Sequence, residues 1–311
     1  MSRFSVGEFT DDSFDPYDEQ TRRPRRNRVR DEAAEPRRVP PPAWDQTDDD
    51  PDLPDGATRS TYQESRASQG PQPAPAWLVT SSAALDYERG IVKTGKEADV
   101  DLVERVDPTT GASCLLAAKR YRSVQHRLFH RDSGYLEGRR VRRSRETRAM
   151  ATRTTFGREV IAGQWAFAEF ETLGRLWSAG LAVPYPVQFG GTEMLLEFIG
   201  DADGTAAPRL AERRPTPEAL DDLWRQCRSV LTGLAAVGYT HGDLSAYNLL
   251  VHNGRLVMID LPQVVDIVGN PQGLTFLQRD CENICRWFTA KGQADADATT
   301  LTAELAAEAG M

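Results

Sequence analysis

The sequence predicts an α+β fold in two lobes, a small antiparallel sheet followed by a mainly helical part. Three observations carry that prediction. Asp99–Val106 alternates loosely and Cys114–Lys119 is a compact apolar run, and the turn chemistry of DPTTG lies between them. Two long helical patterns, Glu159–Gly180 and Thr216–Gly238, enclose a short apolar strand, and a second pair of apolar runs, LLV and LVMI, flanks Asn253–Gly254.

The chain has 311 residues, with 38 Lys and Arg against 46 Asp and Glu, a formal charge of −8. That length suits one ordinary enzyme domain with an additional segment. No apolar run approaches the roughly 18 residues of a membrane helix, and the opening MSRFSVGEFTDD lacks the apolar stretch of a signal peptide. A cytoplasmic protein with no membrane partner is expected. The cysteines Cys114, Cys227, Cys281 and Cys285 are too sparse for a disulfide framework and read as reduced thiols. Of the 38 basic residues only Lys93, Lys96, Lys119 and Lys291 are lysines, so a local concentration of lysine hints at a role for a compact point charge.

Residues 1–76 hold 11 of the 19 prolines and only seven Leu, Ile, Val or Phe, the composition of a disordered tail. Within it a basic block, Arg22–Arg30, stands between acidic ones, a solvated tail by default and a nucleic-acid contact as the functional alternative. The expected domain is 77–292, with an N-lobe over 77–199 and a C-lobe over 200–292, followed by an Ala-rich helix or tail over 293–311. In that last segment Leu301 and Leu305 share a face.

Asp99–Val106 and Cys114–Lys119 form the expected hairpin. Arg120–Arg158 then carries 12 arginines against Asp132, Glu137 and Glu146 with little apolar periodicity. It reads as a mobile basic insertion, either a solvated face or a surface for RNA phosphates or an acidic partner. In the helix Glu159–Gly180 the inward stripe is Ile161, Trp165, Leu173 and Leu176. Glu169 falls in that stripe, where a carboxylate requires a cation. Met194–Ile199 is a strand running into a linker. Thr216 and Pro217 start the second helix, which buries Leu220, Leu223, Trp224, Cys227, Val230, Leu231 and Leu234 and stops at Gly238.

The stretch YTHGDLSAYNLLVHNGRLVMIDLPQ follows, Tyr239 to Gln263. With Asn253–Gly254 as a two-residue turn, Asn248 lies opposite Ile259, and Asn248 and Asp260 emerge together at the open end of the hairpin. An amide oxygen and a carboxylate are hard ligands suited to Mg²⁺ that also holds phosphate oxygens. Asp243, in the loop entering the hairpin, is spaced to accept or orient a hydroxyl proton in phosphoryl transfer. His241 reads as structural. GIVKTGKE (Gly90–Glu97) nearly has the spacing of a Walker A loop, but Glu97 stands where a Ser or Thr should bind Mg²⁺ and a strand follows. The segment is instead a phosphate-covering turn between strands. Lys119 is the natural partner of Glu169, and the set comes in the chain order of a protein-kinase-like fold.

The segments TGKEADV (94–100), LAAKRY (116–121), WAFAEF (165–170), LLEFIG (195–200), APRL (207–210), HGDLSAYNLLV (241–251) and IDLPQ (259–263) resemble the RIO family of atypical serine/threonine protein kinases. RLFHRDSGYLEG and FLQRDCENICRWF are similar to its first branch. The resemblance covers roughly Leu85–Phe288. It implies a compact bilobal kinase that uses ATP and Mg²⁺, with Mn²⁺ as an alternative, and that lacks the usual activation loop. Lys119 would contact the ATP phosphates and Glu169 would pair with it. Lys96 would join the nucleotide-binding set from the phosphate turn, and the backbone of Glu197 and Ile199 would form the adenine hinge. Asp243 would be the catalytic aspartate, and Asn248 and Asp260 the Mg²⁺ ligands. Asp260 is also the candidate to accept the phosphoryl group, which would make the protein an autophosphorylating ATPase switch linked to ribosome or RNA assembly.

Two features depart from the family pattern. Asp99 and Asp101 replace an Asn and an aromatic residue, placing negative charge near the expected nucleotide, and the basic insertion is long. The expected partners are ATP, a protein substrate or the chain itself, and RNA or a ribosomal particle through 120–158 and 22–30. Two other readings use the same residues. One is a small-molecule kinase of the aminoglycoside type, against which APRL, TGKE and DLPQ argue; the other is a catalytically silent RNA-binding scaffold, against which the filled catalytic positions argue. Cys281 and Cys285 lie one helical turn apart without a second ligand pair, so zinc is not expected.

Overall fold

The computed structural model describes residues 53–64, 66–95, 97–122, 155–262 and 264–311, with side chains of the first long helix described from Ala162 onward. These residues all fall within one compact unit, Val39–Met311.

The N-lobe is an antiparallel sheet of β1 (Ala57–Arg59), β2 (Leu85–Thr94), β3 (Ala98–Val106), β4 (Ser113–Tyr121), β5 (Pro186–Gly190) and β6 (Glu193–Glu197), in the order β1-β2-β3-β4-β6-β5. Helix α1 (Thr155–Ser178) connects β4 to β5. Alternation along the strands sorts side chains to two faces. Ala98, Tyr121, Met194 and Leu196 face the core shared with α1 and the C-lobe. Val103, Leu116, Ala118 and Leu195 face outward and are covered by Tyr62, Leu78, Val79 and Ala84.

That cover corrects the expected boundary at residue 77. The segment from residue 53 to 79 is a strap across the back of the sheet. Its β1 pairs with β2, the Gly70 N–H donates to Val187 O at 3.1 Å, and Tyr185 OH donates to Pro71 O at 2.8 Å. Low apolar content hid it, because ahead of Leu78 and Val79 the strap is held by backbone pairing and one buried ring, Tyr62, rather than by an apolar stripe. Residues 1–52, with the basic block 22–30, lie outside the described residues.

The expected basic insertion is corrected at its start. Arg120 belongs to β4 and pairs with Glu88, Asp101 (2.7 Å) and Glu193, while Arg122 reaches both oxygens of Asp99 at 2.6 and 2.8 Å. Asp99 and Asp101 are therefore neutralised locally. They also alternate with Val100, which stands opposite Lys119, and so project to the face away from it. Residues 123–154 lie outside the described residues.

The C-lobe contains α2 (Pro217–Ala236), α3 (Gly273–Ala290) and α4 (Ala298–Glu308). Thr216 caps α2 by accepting from the Ala219 N–H, and Pro217 occupies the first turn, where its missing N–H has no cost. The buried face of α2 packs on α3 and α4, and α4 inserts Leu301 and Leu305. Between α2 and α3 the chain forms β7 (Tyr239–Thr240), β8 (Leu249–His252), β9 (Arg255–Met258) and β10 (Val265–Asp266). The β8–β9 hairpin has the register its turn predicts, Leu249 opposite Met258 and His252 opposite Arg255. Asn253 and Gly254 both take positive φ, as a tight hairpin turn requires. No helix among the described residues is long and apolar enough to cross a membrane.

Candidate active site

Four elements bring the site together. Lys119, near the end of β4, extends from the inner face, and α1 presents Glu169 beneath it. Lys119 Nζ donates to both Glu169 oxygens at 2.8 Å and to Asp260 Oδ1 at 2.9 Å. Glu169 is only 1% exposed, and its other donors are the Tyr121 hydroxyl and the Leu261 N–H, the latter at 3.1 Å. Three donors on a buried carboxylate meet its need for polar partners. Burial alone would depress the Lys119 ammonium, but Glu169, Tyr121 and Asp260 reverse that effect and hold it well above the ordinary lysine value.

Asp260 follows β9 with φ +66°, a left-handed backbone that a non-glycine residue keeps only where its surroundings fix it. Lys119 holds its carboxyl below the usual aspartate range, against the opposing effect of burial. Across the hairpin's open end the Ile259 N–H donates to Asn248 O at 2.8 Å, and Asn248 Oδ1 accepts from Ser245 Oγ at 2.7 Å. The amide oxygen of Asn248 is thereby oriented and retains a second lone pair.

Asp243 lies in the preceding loop and is largely exposed. The loop hangs from α3 by Asp280, which is 2% exposed: its Oδ2 accepts from Thr240 Oγ1 and the Gly242 N–H, both at 2.7 Å, and its Oδ1 accepts from the Leu244 N–H at 2.8 Å. Arg279 donates to Gly242 O and stands 4.0 Å from Asp243 Oδ1. His241 is buried, with Nε2 3.1 Å from Ile259 O. A carbonyl can only accept, so Nε2 carries the proton and ties the loop to the end of the hairpin.

At the lobe junction, the Glu197 N–H donates to Tyr185 O at 2.8 Å and Ile199 O accepts from the Ala207 N–H at 2.9 Å. The Glu197 side chain turns back to accept from the Tyr185 N–H, and burial pushes its carboxyl up. Gly200 admits no side chain, since a Cβ would stand 2.4 Å from Thr205 O.

Lys119, Glu169, Asn248 and Asp260 thus converge, Asp243 stands on the adjoining loop, and Glu197 and Ile199 close the back. Lys96 lies outside the described residues. The sequence reading gave no role of their own to Asp280, Tyr121, Lys93 and Arg209, although Lys93 lies within the phosphate-covering turn Gly90–Glu97 and Arg209 within the APRL segment. Asp280 carried a usable signal, an acid inside the apolar register Leu277, Cys281, Ile284. Among the described residues no cluster of three His, Cys, Asp or Glu could hold a metal alone. Asn248 and Asp260 supply two hard oxygens, the sparse donor set of a Mg²⁺ completed by phosphates and water.

The family model described as the RIO domain matches residues 116–301, from β4 into α4. The chain belongs to the RIO domain family. Its RIO-kinase relatives include the RIO-type serine/threonine-protein kinase Rio1 of Haloferax volcanii, 34% identical over 228 residues, which are 73% of this chain and 72% of that one. The serine/threonine-protein kinase RIO1 of Chaetomium thermophilum is 31% identical over 212 residues, 65% of this chain and 39% of that protein. The solved Rio2 kinase of Chaetomium thermophilum, in an ADP/Mg²⁺-phosphoaspartate complex, aligns with TM-score 0.47 and 17% identity over 71% of this chain and 70% of that one. As a RIO-type serine/threonine kinase, the chain has a bilobal α+β fold in which the cleft between sheet and helices holds the polar cluster described above.

Proposed function

We propose that the cleft binds ATP with Mg²⁺ and transfers the γ-phosphoryl group to a serine or threonine hydroxyl of a protein, this chain included, with Asp260 as the alternative acceptor. The observation that carries the reading is the position of Lys119 Nζ between buried Glu169 and half-exposed Asp260. A lysine so held presents a fixed point charge to phosphates, and Glu169 is the residue that fixes it. Asn248 Oδ1 and Asp260 would hold the Mg²⁺, which neutralises phosphate charge. Asp243 accepts the hydroxyl proton as that oxygen bonds to phosphorus and the bond to the β-phosphate oxygen breaks, releasing ADP. The hinge backbone at Glu197 and Ile199 takes the adenine edge.

When Asp260 is the acceptor its carboxylate oxygen attacks in place of the hydroxyl and no proton is moved. The protein is then a switch whose acyl-phosphate must be hydrolysed before the next turnover. The Mn²⁺ alternative, a cytoplasmic location and RNA or ribosomal partners reached through the arginine-rich segments belong to the same proposal.

Incubation with radiolabelled ATP and Mg²⁺, alongside Asp243→Asn and Asp260→Asn, tests it. Hydroxylamine-labile label lost with Asp260→Asn supports the switch, and stable label lost with Asp243→Asn supports hydroxyl transfer. A wild-type protein that takes up no label and hydrolyses no ATP overturns both and leaves the RNA-binding scaffold as the better account.

A further inference from the structure

Two cations border the cleft without an assigned contact in the chemistry above: Lys93, within the phosphate-covering turn read from the sequence, and Arg209. Lys93 on β2 stands opposite Val100 on β3, which stands opposite Lys119 on β4. Opposed residues of antiparallel strands project to one face, so Lys93 points to the cleft side of the sheet, as Lys119 does. The register shift between Ile91 and Lys93 is what puts it there. In an unshifted ladder Lys93 would oppose Asp99 and turn to the outer face.

Arg209 comes from the other lobe. Its backbone bridges to Leu250, and its Nη1 donates to Tyr247 O, one residue before Asn248. Among the described residues, the charged groups whose fields reach Lys93 are Arg209, Asp260 and Lys119. Lys93 is exposed at the cleft mouth; partial desolvation, then Arg209 and Lys119, lower its ammonium below the ordinary lysine value, and Asp260 acts in the other direction. Asp260 is already bonded to Lys119, and Lys93 has no hydrogen bond to any described residue. Like charges from two lobes therefore face a common space in which the carboxylate that reaches them, Asp260, is already bonded to Lys119.

We propose that Lys93 and Arg209 form a clamp across the cleft mouth for the phosphate chain of the nucleotide, with Lys93 setting a preference for longer chains. The inference rests on the ATP reading above. A chain of several negative charges relieves the repulsion between the two cations, whereas an uncharged nucleoside does not. Lysine, as a compact point charge on a flexible stem, suits a contact that must follow phosphates of different length.

The test is equilibrium binding of ATP, ADP, AMP and adenosine, each with Mg²⁺, to the full chain as wild type, Lys93→Met, Lys93→Arg and Arg209→Met. Lys93→Met is expected to weaken ATP binding about five- to tenfold, the scale of one partly screened charge-assisted contact, with adenosine changed less than twofold. Lys93→Arg restores most of the loss, Arg209→Met weakens ATP more than adenosine, and the salt dependence of ATP binding is shallower in both Met variants. Unchanged ATP binding by Lys93→Met, or equal weakening of ATP and adenosine, overturns the clamp while the ATP reading stands. A wild-type protein that binds none of the four ligands overturns both.

Discussion

Lys119 Nζ is shared between a buried carboxylate and a half-exposed one, and the two contacts respond differently to mutation and to pH. Lys119→Met removes the cation opposite Glu169, which is 1% exposed, and leaves only the Tyr121 hydroxyl and the Leu261 N–H as its donors. Breaking a buried pair from one side costs about 3–5 kcal/mol, and the surviving donors place this case at the low end. Denaturant unfolding should show that loss together with abolished ATP turnover, whereas a loss of turnover with unchanged stability would mean that Glu169 is not held by this pair. Asp260 differs because Lys119 lowers its folded-state pKa. A lowered carboxyl pKa gives stability that is complete above the unfolded value of about 3.9 and lost as pH falls through the folded one. The acid limb of a stability profile should therefore be less steep in Asp260→Asn than in wild type.

At the scale of elements, the loop that carries Asp243 is fixed by α3 rather than by the hairpin it enters. Asp280→Ala strips acceptors from Thr240, Gly242 and Leu244 together, and each buried donor left unpaired costs about 1–3 kcal/mol. Asp280→Asn keeps the shape but loses the charge behind those bonds. It should lower kcat for phosphoryl transfer more than it raises KM for ATP, which steady-state kinetics would show. Equal effects on both constants would mean that the loop is not what Asp280 positions. The hairpin end was legible in the sequence because Asn253–Gly254 allows one register, and that register brings Asn248 to Ile259. The support beneath it was less legible. Asp280 acts through backbone N–H groups almost 40 residues away, and backbone donors leave no mark in residue type. Lys93 was hidden for a related reason: a one-residue shift in β2 decides its face, and neither Ile91 nor Thr94 announces the shift.

For the whole molecule, the sheet has two covered faces, and the strap makes the second. Tyr62 is 2% exposed and its ring lies under the guanidinium of Arg105, so Tyr62→Ala should cost about 3–5 kcal/mol, as large aromatic truncations in cores do. Thiol labelling gives a local readout of the same event. Cys114 sits beneath the strap and its sulfur accepts from the Val79 N–H, while burial pushes Cys281 up to about 11 and Cys285 to about 12. At pH 8 the folded protein should take up almost no label, and Tyr62→Ala should add label at Cys114 but not at Cys227, Cys281 or Cys285. Label at all four would mean global rather than local opening. The lobes themselves were readable from periodicity and turn residues, whereas the strap, with no stripe of its own, was visible only once there was a sheet to lie on. Its contacts also set an order of events during synthesis. Residues 57–59 can pair with β2 as soon as that strand leaves the ribosome, but Gln69 and Gly70 wait for Gln188 and Val187. The back of the N-lobe thus stays open until more than ninety further residues have been made, and over that interval a nascent chain exposes its outer apolar face to whatever chaperone or protease is nearest.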